Sequence, residues 1–337
     1  FMRNINAVNP SFNNPTESKP RRVPLGRSDL EVSPVGTGTW QWGGAFYWGY
    51  GRSYTDQDLA AAYAASIENG INWFDTAEIY GRGKSEIILG KHVNSSNSNN
   101  PDSPKPLIAT KFFPYPWRLH KSTLRRALKA SLQRLNTESI DIYQIHFPFR
   151  PRSFQYWVDA LAGAAEDGLV KAVGVSNFSA EQTKCAHEML DRKGIVLAAN
   201  QVGYSLLNRK IESNGVLETC RDLDVSVISY GPLAEGLLSG KYRPDNPPPF
   251  MRKWRWARKR LKMLPPLISL MSDIASAYDA SPSQVALNWL MQKNTLPIPG
   301  AKSAMQAKDN ATAMTWSLAN DEFEALNMAT EQYLPGR

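Results

Sequence analysis

Asp75 and Tyr80 stand five residues apart in the run Asn72-Trp-Phe-Asp-Thr-Ala-Glu-Ile-Tyr-Gly81, where an apolar stretch turns abruptly into ionisable and hydroxyl groups. A carboxylate at a strand tip and a phenol in the turn above it could form half of a proton-donating unit. Taken alone, that spacing better describes an aspartate capping the next helix and an ordinary loop tyrosine. Lys111 and His146, at the ends of two other short apolar runs, give it chemical sense. A tyrosine with a pKa of about 10 is a poor acid at neutral pH. An ammonium beside it, itself held by a carboxylate, would favour the phenolate and lower that value. A nearby imidazole could orient a carbonyl oxygen or share in the proton transfer. Tyr80, Asp75, Lys111 and His146 are therefore the expected catalytic set.

For these four to meet, the elements between them must bring several strand ends to one face. Short apolar runs at 35–39, 71–74, 107–110, 140–145, 170–175, 198–202, 225–229 and 296–298 alternate with segments of helical period at 56–69, 124–135, 154–167, 180–192, 215–223 and 281–293. Ser281-Pro-Ser-Gln284 adds a helix-start signal, a capping serine before a proline at the first helical position. The strands are too apolar for one face to be wet, which indicates a parallel sheet closed on itself. The expected fold is α/β, a (β/α)8 TIM barrel whose bottom is closed by an N-terminal β-hairpin at 22–33. An open doubly wound sheet would want a glycine-rich turn into a helix after its first strand, whereas Gly36-Thr-Gly38 leads into Thr-Trp-Gln-Trp. Asparagine-rich residues 1–20 read as a flexible arm without chemistry, and 21–337 as one barrel domain with its active site at the C-terminal ends of the strands.

Composition narrows the function classes. Two cysteines, Cys185 and Cys220, and four scattered histidines suit neither a disulfide framework nor a metal centre, so no metal is expected and a reducing compartment fits. No run of about 18 apolar residues is present to span a membrane. The net charge of +8 is concentrated: between Lys241 and Lys262 there are nine basic residues against the single Asp245, a net of +8 that equals the whole excess. Trp254 and Trp256 interleave this segment, but no nucleic-acid motif accompanies them, so no nucleic acid is expected as partner. Pro247 to Pro249 resist helix, and the segment reads as a stiff basic flap above a phosphorylated ligand.

Trp73-Phe-Asp-Thr-Ala-x-x-Tyr-Gly81, Ala109-Thr-Lys111, Gly174-Val-Ser-Asn-Phe178 and Ser229-Tyr-Gly-Pro-Leu233 with Gly-Leu-Leu-Ser-Gly-Lys241 together resemble the aldo-keto reductases, over about Val23 to Leu326. The resemblance implies Tyr80 as general acid, Asp75 and Lys111 as its tuning pair, and His146 as carbonyl orienter, with a nicotinamide cofactor as hydride source. It further implies that Ser176, Asn177 and Gln201 hold the carboxamide and that Tyr230 stacks on its ring, with Gly231, Pro232 and Leu233 following along the cofactor. Pro297-Ile-Pro-Gly-Ala-Lys302 is in its own right a glycine turn into a helix start, a ready anion site. In the family this segment grips the adenosine 2'-phosphate, and Gly300, Lys302, Gln306, Asp309 and Asn310 match it, although many relatives carry arginine where Lys302 stands. NADPH is the cofactor implied.

The loops after the first and third strands are rich in aromatic residues, which points to a flat apolar substrate site. Trp40, Trp42, Trp48, Phe112, Tyr115 and Phe147 are the expected pocket residues. The patterns Thr39-Trp-x-Trp-Gly43, Trp48-Gly-Tyr50 and Lys111-Phe-x-x-Tyr-Pro-Trp-Arg-Leu119 are similar to the plastid and cyanobacterial branch that includes plant pyridoxal reductase. The expected activity is NADPH-dependent reduction of an aromatic or heteroaromatic carbonyl such as pyridoxal, by a monomer or small homo-oligomer in the cytoplasm or plastid stroma. Two other readings stay open at this point: an NADPH-binding redox sensor with little turnover, and a barrel aldolase with Lys111 as Schiff-base nucleophile.

Overall fold

The computed structural model describes residues 21–99, 104–242, 245–248 and 258–333. The expected arm at 1–20 lies outside them. So do 243–244 and 249–257, and with them Arg243, Arg252, Lys253 and Arg255 of the basic segment.

Eight parallel strands make one sheet in chain order: β3 (Thr37–Gly38), β4 (Trp73–Asp75), β5 (Leu107–Phe112), β6 (Ile140–Ile145), β7 (Val170–Ser176), β8 (Leu197–Gly203), β9 (Ser226–Tyr230) and β10 (Thr295–Pro297). The ring closes between its first and last members. Gly36 N–H donates to Pro297 O and Gly38 N–H to Pro299 O, each at 3.0 Å, and Gly38 bridges Gly300 in parallel. A Cβ on Gly38 would lie 2.8 Å from Ile298 O, so this seam requires glycine. A two-stranded antiparallel hairpin, β1 (Val23–Pro24) with β2 (Glu31–Val32), seals the lower end. Its turn residue Gly26 has φ +56° and donates its N–H to Ser226 Oγ at 2.7 Å, and a Cβ there would strike Ala198 O.

Strand alternation builds the interior. Leu25 and Val32 of the plug pack with Trp73, Ala109, Ile142, Ala172, Ala199, Ile228 and Leu296 in an apolar lower layer. Two residues on, the same faces of the strands carry Asp75, Lys111, Gln144 and Gln201, all buried. The register sets Asp75 beside Ala109, Lys111 beside Gln144, and Ser176 beside Gln201. The intervening residues point outward into the sheet–helix layer, where Phe74, Phe112, Tyr143, Ile145 and Val175 meet Leu128, Trp157 and Leu161 of the surrounding helices.

The expected helices are present as α2 (Asp56–Glu68), α4 (Ser122–Leu135), α5 (Phe154–Glu166), α6 (Ala180–Asp191), α7 (Val216–Asp222) and α9 (Pro282–Gln292), which follow the one-turn α1 (Ala45–Trp48). Ser281 caps α9 by accepting from Gln284 N, with Pro282 in the first turn. The helix start expected after Lys302 is α10 (Ala304–Thr312), whereas α3 (Lys84–Asn99), α8 (Arg258–Ala277) and α11 (Asn320–Ala329) were not expected. α8 corrects the flap reading, because Arg258 to Lys262 lie in its first turns rather than in an extended loop. No helix among the described residues is long and apolar enough to cross a membrane.

Candidate active site

Asp75 ends β4 and Lys111 lies one residue before the end of β5, and they meet in the barrel as an ion pair: Lys111 Nζ to Asp75 Oδ1 is 2.5 Å, with side chains 0% and 2% exposed. Nζ also donates to Thr76 O at 2.8 Å. The other carboxylate oxygen, Asp75 Oδ2, accepts from Gln201 Nε2 at 2.8 Å and more weakly from Gln144 Nε2 at 3.4 Å. Burial alone would make such a pair costly; excellent geometry and satisfaction of the remaining lone pairs are what make it tolerable. Burial pulls the Lys111 ammonium below its ordinary range, and Asp75 pulls it back. With Nζ fully covered and bonded to a carboxylate, no substrate carbonyl reaches it, which removes the ground for a Schiff base.

Tyr80 opens a tight turn, Tyr80–Gly83, in which Gly81 (φ +56°) and the non-glycine Arg82 (φ +58°) both adopt left-handed backbone. That turn folds the phenol back over the ion pair, with Lys111 Nζ 5.2 Å from the ring centre. The expectation that Lys111 lowers the phenol's pKa is reversed. Burial first, then the charges of Asp75 and Tyr230, raise it well above the ordinary tyrosine value. The phenol is thus a fully protonated donor at neutral pH, not a partial phenolate. Beneath the turn, a buried hydroxyl chain ties the first two strand ends together: Thr39 Oγ1 donates to Asp75 O at 2.9 Å and touches Ser85 Oγ at 2.8 Å, which in turn meets Thr76 Oγ1 at 2.9 Å.

His146 follows β6, with its N–H on Phe112 O at 2.9 Å, and its ring stands edge-on to Tyr80 at 5.8 Å and stacks on Phe147 at 4.9 Å. Its Nδ1 is buried without a hydrogen-bond partner. Burial and the charge of Lys111 push its pKa well below the histidine norm, so the ring is neutral. A native pKa below the unfolded value of about 6.5 means that the unfolded chain binds the extra proton as the pH falls, so native stability is intact above that value and declines below it. The melting temperature should therefore drop between about pH 7 and 5, and His146→Asn should drop less over the same window. The partly buried His92 shifts the same way, so the difference between the two proteins isolates His146. Equal slopes would place the acid sensitivity elsewhere.

The residues expected at the cofactor's reactive end come together at the tips of β7 to β9. Ser176 Oγ donates to Gln201 O at 2.8 Å. Asn177, left-handed at φ +62°, donates through Nδ2 to His146 O at 3.1 Å and accepts from the Tyr230 hydroxyl at 2.9 Å. Tyr230 is 38% exposed, Gly231 is left-handed (φ +64°), and Leu233 packs down on the core. At the seam, Gly300 lies against Gln41, and Lys302 precedes Ser303, the cap of α10, with its Nζ 4.8 Å from the Tyr54 ring centre. Gln306 Oε1 accepts from Lys302 N at 3.1 Å. Asp309 and Asn310 turn inward. Asp309 accepts from Ser281 Oγ and Gln284 Nε2 at 2.9 and 2.7 Å, which ties α10 to α9, and Asn310 Nδ2 reaches Gly300 O at 3.5 Å.

The expected pocket residues divide. Trp40, 42% exposed, stands 6.4 Å from Tyr80, ring to ring, while Tyr115 and Phe147 gather about Phe113 at 4.6 and 6.0 Å, Phe147 also stacking on His146. Trp42, Trp48 and Phe112 are packed into the core. Trp42 is fully buried against Phe74 and His92 and donates to Ala301 O at 2.9 Å. Trp48 lies buried edge-on to Trp40. Phe112 packs on Trp157 at 4.8 Å, outside the sheet. Strand alternation explains the last: with Lys111 pointing inward, its neighbour must point out. The sequence gives no role to Phe149 or to the Glu78–Arg118 pair.

Residues 34–331 match the model of the aldo/keto reductase family. The chain is 39% identical to the chloroplastic pyridoxal reductase of Arabidopsis thaliana over 98% of its own length and 93% of that protein. It is 29% identical to the L-glyceraldehyde 3-phosphate reductase of Escherichia coli O157:H7, covering 86% of each. Among solved structures it resembles the glycerol dehydrogenase of Gluconobacter oxydans (TM-score 0.79, 26% identity, 94% of this chain and 97% of that one). It also resembles a thermostable aldo-keto reductase in complex with epalrestat (TM-score 0.72, 26% identity, 92% and 99%).

Proposed function

This chain belongs to the aldo/keto reductase family, a family of carbonyl-reducing oxidoreductases, and from that premise we propose that it reduces a planar aromatic or heteroaromatic aldehyde, pyridoxal among them, with NADPH. The observation that carries the reading is the buried Asp75–Lys111 pair beneath a protonated Tyr80, with a neutral imidazole at the same mouth. NADPH supplies the hydride. Tyr80 delivers the phenolic proton to the substrate oxygen, while Lys111, neutralised in the resting state by Asp75, stabilises the phenolate that the transfer leaves behind. His146, neutral and wedged between Tyr80 and Phe147, orients the carbonyl oxygen rather than donating a proton of its own.

The donor set fits the dinucleotide at both ends. Ser176, Asn177 and Gln201 offer amide and hydroxyl groups where a carboxamide would be read. The start of α10 exposes Ala304 and Met305, whose backbone N–H groups have no intrahelical acceptor, beside the Lys302 ammonium, as a phosphate requires. Lys302→Glu should therefore weaken NADPH binding about 10- to 150-fold, the worth of a charge-assisted hydrogen bond, with little change for NADH. Fluorescence titration of both cofactors checks this, and equal losses would move the 2'-phosphate elsewhere. The activity itself is tested by following NADPH consumption with pyridoxal, benzaldehyde, a sugar aldehyde and a lipid aldehyde. Tight NADPH binding with no turnover on any of them would favour the redox-sensor reading. The plastid stroma or the cytoplasm is the proposed location, the former by analogy with the chloroplastic relative.

A further inference from the structure

Glu78 lies two residues before Tyr80, and Arg118 seven after Lys111. Their side chains are only 8% and 18% exposed, and they pair in a fork: Arg118 Nη1 to Glu78 Oε1 is 2.5 Å and Nη2 to Oε2 is 2.9 Å. The same two groups hold the main chain of Phe113 at both of its polar atoms. Phe113 N–H donates to Glu78 Oε1 at 2.6 Å, and its carbonyl accepts from Arg118 Nη1 at 2.8 Å. Arg118 also lies on the ring faces of Phe112 at 4.8 Å and Tyr115 at 5.1 Å. The ring so anchored stands edge-on to His146 at 5.6 Å and Phe149 at 5.9 Å.

Phe113 follows the last residue of β5, where the sheet's hydrogen-bond ladder ends. An ion pair in a partly desolvated setting replaces the ladder with charge-assisted bonds and fixes the loop to the turn that carries Tyr80. Because Glu78 neutralises Arg118, this wall presents apolar edges and faces rather than a cation.

We propose that the Glu78–Arg118 pair is a positioning device for substrate selection, holding Phe113 opposite His146 so that the mouth accepts a planar, uncharged aromatic ring whose carbonyl reaches Tyr80. The proposal rests on the carbonyl-reductase reading for its choice of substrate and adds the residues that select it. Its test compares wild type, Glu78→Gln, Arg118→Lys and Phe113→Leu on benzaldehyde and propanal. For each protein, kcat and KM are measured, together with calorimetric binding of both aldehydes to the protein loaded with NADP+. Wild type is expected to bind benzaldehyde more tightly than propanal. In Glu78→Gln, KM for benzaldehyde should rise about tenfold, the scale of one lost aromatic contact set, while kcat for propanal and NADPH affinity hold. Phe113→Leu should lose the same ring preference, and Arg118→Lys, which keeps charge but not the fork, should fall between.

A parallel fall in kcat for both aldehydes would mean that the pair acts on Tyr80, and would overturn the proposal. Retention of ring preference in Phe113→Leu, or its absence in wild type, would overturn it too. If Glu78→Gln fails to fold, the other two variants decide. Should wild type turn over neither aldehyde yet bind benzaldehyde preferentially, and lose that preference in the variants, the reductase reading falls and this one stands.

Discussion

Tyr80→Phe is expected to lower kcat for carbonyl reduction by about 10²- to 10⁴-fold, the range of general acid catalysis, with NADPH affinity unchanged. Only the hydroxyl is removed. The ring, which packs edge-on to His146 and tilted to Trp40, stays in place. The loss should fall on kcat rather than KM, because the proton moves only as hydride arrives and the bond to the substrate oxygen strengthens in the transition state. The geometry also sets the pH behaviour of wild type. With the phenol's pKa raised by burial and by Asp75, the donor remains loaded through neutral pH, and the reduction rate should hold steady as the pH rises through it. Steady-state and single-turnover rates on one aldehyde decide the matter. A variant that keeps more than about a tenth of the chemical rate would disqualify Tyr80 as the acid.

The chain reveals its barrel readily because the signal is redundant: eight short apolar runs recur, and six of them, β4 to β9, carry a polar residue at or near their ends. Asp75, Lys111, His146, Ser176 and Gln201 were legible as strand ends for that reason. What failed was local. α8 was hidden by Pro265 and Pro266, which sit inside it and which a sequence reader takes as helix breakers. The second half of α3, Asn94-Ser-Ser-Asn-Ser-Asn99, has the composition of a loop, and its helix is not legible from propensity. The pocket was overread because an aromatic count does not say which way a ring points. Phe112 and Phe113 are adjacent, and only the second, past the end of the ladder, is free to turn to the mouth. The direction of the Tyr80 shift is not legible in the sequence because its largest cause is burial, which a lysine and its carboxylate counted at strand ends do not reveal.

The largest effect on stability should come from Lys111→Met. The substitution leaves Asp75, 2% exposed, without its cation in the middle of the barrel. Breaking a buried pair on one side costs about 3–5 kcal/mol, because the remaining charge is uncompensated. The Gln201 and Gln144 amides still donate to Asp75 Oδ2, which places the expected loss toward the lower end of that range. Asp75→Asn combined with Lys111→Met removes both charges while the asparagine oxygen can keep the Gln201 bond, so the double variant should recover most of the lost stability. It should recover none of the activity, since no cation is left beside Tyr80 to stabilise its phenolate. Denaturant unfolding of the two single variants and the double, with the NADPH assay run in parallel, separates these effects. If Lys111→Met cost less than about 1 kcal/mol, the value of an exposed pair, water would have to reach Asp75 in solution, and the dry ion pair on which the proposed proton donor rests would be wrong.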